Sequence, residues 1–263
     1  MYLKLNSVSK LFTDTDKETL QNISLEAEEG EFICIVGPSG CGKSTLLNLI
    51  AGLDHPTSGS IILDGREIHG PGADRVVMFQ EAALYPWLNV KENVLFGLQA
   101  AGHPKTVQQE IAEKYLKLVR LWQYKDYPIH QISGGMKQRV ALARALALDS
   151  KLLLMDEPFS ALDKQTIHIL RGELEEIWEK HRKTILYVTH SVEEAVYFSD
   201  RVVVMAENPG RIKDIIPIPF DRPRNIEHPD FVALRKQILS QVQLSARKIA
   251  AEEFDKAEGD GIK

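Results

Sequence analysis

A chain of 263 residues, 44% hydrophobic and 26% charged, is long enough for one large domain or two modest ones and has the balance of a chain that buries a core. A formal net charge of -5 lacks the basic footprint that grips phosphate backbones, so no nucleic-acid partner is expected. There is no apolar leader at the N-terminus and no window near the roughly 18 uninterrupted apolar residues of a membrane span, so any membrane work is expected to go through a partner. Cys34 and Cys41 are too few for a disulfide framework and read as reduced thiols.

Residues 2–9 and 23–27 alternate apolar and polar side chains, which predicts two half-exposed strands with a turn at Asp14-Thr15-Asp16-Lys17 between them. Glu31 to Val36 is an apolar run suited to a buried strand. It ends in Gly37-Pro38-Ser39-Gly40-Cys41-Gly42, and helical character follows from Lys43 to Ala51. Ser60 to Gly65 and Val76 to Phe79 are further strand candidates. From Val90 to about Ser150 the spacing turns helical, with Ile111, Tyr115, Leu118 and Val119 on one face and Val140, Ala143, Arg144 and Ala147 on another. Arg139 and Arg144 read as a charged face of that second helix.

Lys151 to Met155 returns to a buried strand and Thr184 to Thr189 is another. The helix predicted between them, Lys164 to His181, makes a βαβ unit with parallel pairing. After a strand at Arg201 to Met205 the chain is proline-rich. A last amphipathic helix carries Phe231, Leu234, Ile238 and Val242 on one stripe, and the polar end from Glu252 to Lys263 is expected to fray.

Gly37-Pro38-Ser39-Gly40-Cys41-Gly42-Lys43-Ser44-Thr45 fits the phosphate-binding loop G-x-x-x-x-G-K-[ST] in its strand–loop–helix setting. Several backbone N–H groups must meet phosphate oxygens at once, which requires glycines and the positive end of a helix. Lys43 is placed to reach the β- and γ-phosphates of ATP, and the Ser44 hydroxyl to ligate Mg²⁺. Cys41 reads as a small tolerated residue of the loop. In Leu152-Leu153-Leu154-Met155-Asp156-Glu157-Pro158 two carboxylates stand at the carboxyl end of a buried strand, where ligands of α/β sheets gather. Asp156 could hold Mg²⁺ through water, and Glu157 could take a proton from attacking water.

Ile132-Ser133-Gly134-Gly135-Met136-Lys137-Gln138-Arg139 resembles the LSGGQ signature of ABC-family ATPases, with Ile132 for Leu and Met136 for Gln. Ser133 suits a helix N-cap, and the glycines leave the first N–H groups sterically open to a γ-phosphate. The resemblance implies that this phosphate belongs to a nucleotide on a second copy, hence a homodimer. It implies further that Gln80 is the loop glutamine that touches Mg²⁺ and senses a permease. Ser160-Ala161-Leu162-Asp163 is similar to the loop that crosses the dimer interface near the nucleotide. His190 is similar to the switch histidine at the γ-phosphate, and Phe12 to the aromatic stacked on adenine.

The fold this implies is an α/β P-loop NTPase core with an N-terminal antiparallel β subdomain and an inserted α-helical signature subdomain. Its ATPase domain would span residues 1–230, with the helical insert at about 90–150, and a proline-rich segment, helix and polar tail over 206–263. Tyr85-Pro86-Trp87-Leu88-Asn89-Val90-Lys91-Glu92-Asn93-Val94, Asn208-Pro209-Gly210-Arg211-Ile212 and Asp221-Arg222-Pro223-Arg224 resemble the branch that imports nitrate, sulfonates and taurine. The implied partners are integral-membrane permease subunits near Gln80 to Leu88 and, indirectly, a substrate-binding protein, with the chain peripheral at the cytoplasmic face of the cell membrane. Trp87 itself reads either as a wall of that contact or as core of the helical insert. The competing reading is an ABC-type ATPase without a permease, acting in DNA repair or on ribosomes. A single cassette with no heptad run weighs against it.

Overall fold

The protein is described from a computed structural model, which covers residues 1–12, 17–160 and 162–260. The turn expected at Asp14-Thr15-Asp16, Ala161 of the interface loop and the last three residues of the polar tail lie outside the described residues. In chain order the elements are β1 (Leu3–Phe12), β2 (Lys17–Ala27), β3 (Phe32–Val36), α1 (Lys43–Ala51), β4 (Ser58–Leu63), β5 (Arg66–Glu67), β6 (Arg75–Met78), α2 (Val90–Ala100) and α3 (Lys105–Leu118). They continue as α4 (Gly134–Ala147), β7 (Leu152–Asp156), α5 (Lys164–His181), β8 (Thr184–Val188), α6 (Val192–Phe198), β9 (Arg201–Ala206), β10 (Arg211–Pro217) and α7 (Pro229–Asp260). Lys17, expected in a turn, instead opens β2 and pairs with Phe12.

Two compact units emerge, Met1–Gly72 with Thr184–Lys263, and Ala73–Lys183. The first holds an antiparallel sheet in the order β2-β1-β4-β5. Alternation in β1 sends Leu3, Leu5 and Val8 inward, opposite Ala27, Leu25 and Ile23 of β2. The same unit holds β3, whose five residues are all buried. It lies parallel to β8 on one side and β9 on the other, while β10 pairs antiparallel to β9. A strand covered on both faces needs an unbroken apolar run, which Phe32-Ile33-Cys34-Ile35-Val36 supplies. β10 forms inside the stretch read only as proline-rich. Pro217 closes the strand, and Ile212, Ile215 and Ile216 face the pairing with Met205, Val203 and Val202. On α7, Phe231 and Ile238 are buried, as the expected stripe requires, with Leu234 and Val242 half-buried.

In the second unit β6 and β7 are parallel, with Val76 opposite Leu153 and Met78 opposite Met155. Helices α2, α3 and α4 pack on one another. The buried stripe of α3 runs through Ala112, Tyr115 and Leu116 to Val119, a fraction of a turn from the face expected, so that Ile111 and Leu118 are only half-buried. α2 opens with a capping box in which Glu92 N donates to Asn89 Oδ1 and Asn89 N to Glu92 Oε2, both at 2.8 Å. Among the described residues no helix is long and apolar enough to cross a membrane.

Candidate active site

In the first unit β3 delivers the chain into the glycine loop, and α1 leads it out. Gly42 stands at the N-cap of α1 with φ 93°, a left-handed backbone that suits glycine, and no side chain caps the helix. The opening amides of α1 are therefore available to an anion. Lys43 is 6% exposed, and its Nζ donates to Gly37 O at 2.9 Å and Pro38 O at 2.7 Å. It makes no ion pair among the described residues, so a buried ammonium is held by neutral groups, the two carbonyls and Cys41 Sγ at 3.8 Å, within reach of the loop it spans. That arrangement favours an arriving polyanion. Cys41 lies in the loop with its thiol pushed up by burial, an effect that the Lys43 ammonium partly offsets. Burial also raises the Cys34 thiol on β3, and both cysteines are free.

The loop has a backing that the sequence reading did not assign. Gly210 N donates to Thr19 O and Gln21 N donates to Gly210 O, each at 2.9 Å, which ties the turn before β10 to β2. A Cβ on Gly210 would run into Cys41 O and come within 2.9 Å of Thr19 O. Only a residue without a side chain lets that turn press against the loop. The signal lies in Asn208-Pro209-Gly210, a stretch whose only other reading is its likeness to one branch of the family.

His190 is exposed, two residues past the end of β8. Phe12, at the end of β1, is 39% exposed, and Lys10 Nζ sits 4.9 Å above its ring while pairing with Asp54 Oδ1 at 2.6 Å. A flat ring with a cation on it and open surface beside it can stack a base.

In the second unit Asp156 ends β7, 8% exposed, and Glu157 follows with φ 48°. A left-handed backbone at a non-glycine residue costs of the order of 1 kcal/mol and turns the side chain off the strand line. Ser160 holds the turn by donating from N at 3.2 Å and from Oγ at 3.0 Å to Glu157 O. Gln80, just beyond β6, donates from Nε2 to Glu157 Oε2 at 3.1 Å, so the ends of two parallel strands bring two of the sequence-singled residues together. Ser133 is the N-cap of α4, accepting from Met136 N at 3.2 Å, and nothing lies within 4 Å of where a Gly134 Cβ would be. Met136 thus donates its backbone N–H to the cap whatever its side chain. Asp163 caps α5, accepting from Thr166 N at 2.9 Å and Thr166 Oγ1 at 2.7 Å. Those two bonds hold its carboxyl below the usual range.

Two readings are corrected in this unit. Arg139 and Arg144 are not a solvated charged face. Arg139 donates to Val119 O at 3.1 Å, and Arg144 donates to Ala82 O at 3.1 Å and Ala83 O at 2.9 Å beneath the Tyr85 ring. Trp87 is not core of the helical insert, being 74% exposed. It stands beside Tyr85, whose ring packs on Phe96, with ring centroids 5.5 Å and 4.4 Å apart. The fully buried Asn93 pins this stretch, accepting from Tyr85 N and donating to the carbonyls of Tyr85, Leu88 and Asn89. Arg144 and Asn93 together build residues 82–89 into a defined aromatic surface.

In the first unit the Ser44 hydroxyl, and in the second the Gln80 amide and the Asp156 carboxylate, are oxygen donors, the kind a hard cation such as Mg²⁺ takes a few at a time.

The family model described as ABC transporter matches residues 20–160. An uncharacterized ABC transporter ATP-binding protein of Methanocaldococcus jannaschii is 53% identical over 240 residues, 90% of each chain. The nitrate import ATP-binding protein NrtD of Synechococcus elongatus is 45% identical over 227 residues, 84% of this chain and 83% of that one. Among solved structures, a dimeric ATP-binding cassette in a post-hydrolysis state with ADP and Pi superposes with TM-score 0.76 at 32% identity, over 83% of this chain and all of the other.

Proposed function

The chain belongs to the ABC transporter family, an ATP hydrolase whose turnover drives transport, and from that premise we propose that it is the ATP-binding subunit of an importer for a small molecule of the nitrate, sulfonate or taurine kind. The observation that carries the reading is Lys43, a buried ammonium stretched across a glycine loop and held by neutral groups, two carbonyls and the Cys41 thiol. The substrate class follows the similarity to the nitrate import protein and the Tyr85 to Val94 stretch.

Two copies close on ATP, each nucleotide lying between residues 37–45 of one copy and the Ser133-Gly134-Gly135 turn of the other. The backbone N–H groups of Gly40, Gly42, Lys43, Ser44 and Thr45 receive phosphate oxygens, with Pro38, Ser39 and Cys41 shaping the loop between them. Phe12 stacks on the adenine. Ser44, Gln80 and Asp156 would hold Mg²⁺, which when bound neutralises charge on the β- and γ-phosphates. Glu157 accepts a proton from the attacking water as its oxygen approaches the γ-phosphorus in line, the bond to the β–γ bridging oxygen breaks, and ADP and phosphate result. His190 and Lys43 stabilise the charge that develops on the γ-phosphoryl oxygens, and Asp163 holds the interface loop against the partner copy.

The Gln80–Glu157 hydrogen bond supports a gate. While Gln80 occupies Glu157, the carboxylate is engaged, and a shift in residues 80–88 on permease contact would release it. The permease helix would lie on the Tyr85, Trp87 and Phe96 surface, a mode in which a helix docks its apolar face. The chain would then sit peripherally at the cytoplasmic face of the membrane, with a substrate-binding protein delivering cargo to the permease.

Glu157→Gln tests the chemistry. ATP should bind with affinity near that of the parent, and turnover of the purified chain should fall by about a hundredfold or more. Hydrolysis at the parent rate would remove Glu157 from the role assigned.

A further inference from the structure

His190 is exposed, and the residues on either side of it are held by a network of hydrogen bonds. Glu194, on the first turn of α6, is a carboxylate only 7% exposed. Its Oε2 accepts from Tyr187 Oη at 2.8 Å and from Thr189 Oγ1 at 3.0 Å. Thr189 Oγ1 in turn accepts from Ser191 N at 3.0 Å, and Ser191 Oγ accepts from Glu194 N at 3.2 Å. The residues immediately before and after His190 are therefore tied, through one another, to a single buried carboxylate. Thr189 N also donates to Ile35 O at 3.2 Å, extending the pairing of β8 onto β3, the strand that feeds the phosphate loop.

Burying a carboxylate is costly, and a well-packed apolar side chain in its place would serve stability as well or better. Two hydroxyl donors converging on one oxygen recover part of that cost while fixing direction, since a charge-assisted bond tolerates little misalignment. What this ring of bonds restricts is the backbone at residues 189–191. That span carries His190 at its centre.

We propose that Glu194 is a positioning residue for His190, holding the loop at 189–191 so that the imidazole meets the γ-phosphate in the reacting geometry. The proposal rests on the role given to His190 above. It assigns Glu194 no contact with nucleotide and no proton transfer. A misplacement of the order of an ångström at a reacting group is costly in rate without loosening substrate much, so the signature is in kcat and not in KM.

The test uses the full-length purified chain, with steady-state kcat and KM for ATP and single-turnover rates for the slow variants. Glu194→Gln keeps the shape and removes the charge. It should lower kcat about tenfold with KM for ATP within about twofold. In a His190→Ala background it should lower the rate no further, because the group it positions is gone. Thr189→Val, which is isosteric but lacks the hydroxyl link, should reproduce the loss, and Thr189→Ser should restore most of it. The threonine pair decides the matter if Glu194→Gln does not fold. Equal rate factors for Glu194→Gln with and without His190, or parental kcat in both Glu194→Gln and Thr189→Val while His190→Ala is impaired, would overturn the positioning role and leave that of His190 standing. A parental rate in His190→Ala would overturn both.

Discussion

Gly210 and Lys43 act on the same nine residues from opposite directions. Lys43 crosses the loop in front, and Gly210 presses on Cys41 O from behind. The loop has to hold several amides in one concave arrangement, and a backbone that cannot retreat helps it do so. Gly210→Ala forces a Cβ into Cys41 O, and the loop must give way. Nucleotide affinity, followed by titration with a fluorescent ATP analogue, should weaken by about tenfold, and stability should drop by about 1–3 kcal/mol as for other overpacked sites. Unchanged affinity would show that the turn before β10 merely borders the loop. At this scale the sequence was most informative where chemistry dictates both residue type and spacing. Gly37 through Thr45 and the Asp156-Glu157 pair were visible for that reason. Gly210, Glu194 and Asn93 were not, because each acts through a backbone partner distant in the chain, and no local pattern records which carbonyl or amide a side chain will reach.

The C-terminus of α6 is closed by a side chain brought from elsewhere in the chain. Arg224 is buried, and its Nη1 donates to Val196 O at 2.7 Å, Tyr197 O at 2.9 Å and Ser199 O at 2.7 Å, closing the C-terminus of α6. Four unsatisfied carbonyls at a helix end need donors, and a guanidinium supplies several while favouring the negative end of the dipole. Arg224→Met should cost about 2–4 kcal/mol and lower the melting temperature by several degrees, since it leaves buried carbonyls bare. A melting temperature equal to the parent's would mean that water or a neighbour replaces the guanidinium.

At the other kind of end, Asp163 caps α5, and its two bonds from Thr166 hold the carboxyl below its usual range. A depressed folded value adds stability above the unfolded carboxylate value of about 3.9, and that stability is lost as pH falls through the lowered folded value. Denaturant unfolding at neutral pH and at about pH 3 should show a smaller acid-induced loss for Asp163→Asn than for the parent. An identical loss would place the acid sensitivity in other carboxylates. Element types were largely readable. Strand β3, helix α5 and the capped start of α4 follow from apolar runs, periodicity and Ser133. β10 was hidden because its prolines suggested a connection, although all but Pro217 fall outside the strand. The buried face of α3 was misjudged because Ala112 buries well while carrying little hydrophobic signal, whereas Ile111 carries much and lies at the edge.

At the scale of the molecule, the site residues divide between the two units. The phosphate loop, Phe12 and His190 belong to one, and Gln80, the Asp156-Glu157 pair and the Ser133 turn to the other. Two exposed features suit a larger assembly. Trp87 stands free on a scaffold of Asn93 and Arg144, and Ser133 and Gly134 are open at the start of α4. An aromatic kept in solvent on a rigid base is the form of an interface anchor. A helix start that carries glycines behind a serine cap leaves room for an anion at its positive end. Motif spacing and family likeness made the ATPase legible from the outset, whereas the cargo leaves no mark on residues that need never touch it.

The central claim is that each nucleotide pocket is completed by a second copy. Ser133→Arg blocks the receptor turn and Lys43→Ala disables the phosphate loop, so each variant alone should be nearly inactive. Mixed in equal amounts, they form dimers in which one pocket joins an intact Lys43 from one chain to an intact Ser133 from the other. Turnover should return to about a quarter of the parent rate if pockets act independently, from half of the dimers with one good pocket in two. A mixture no more active than its parts, or Ser133→Arg active on its own at the parent rate, would contradict the shared pocket.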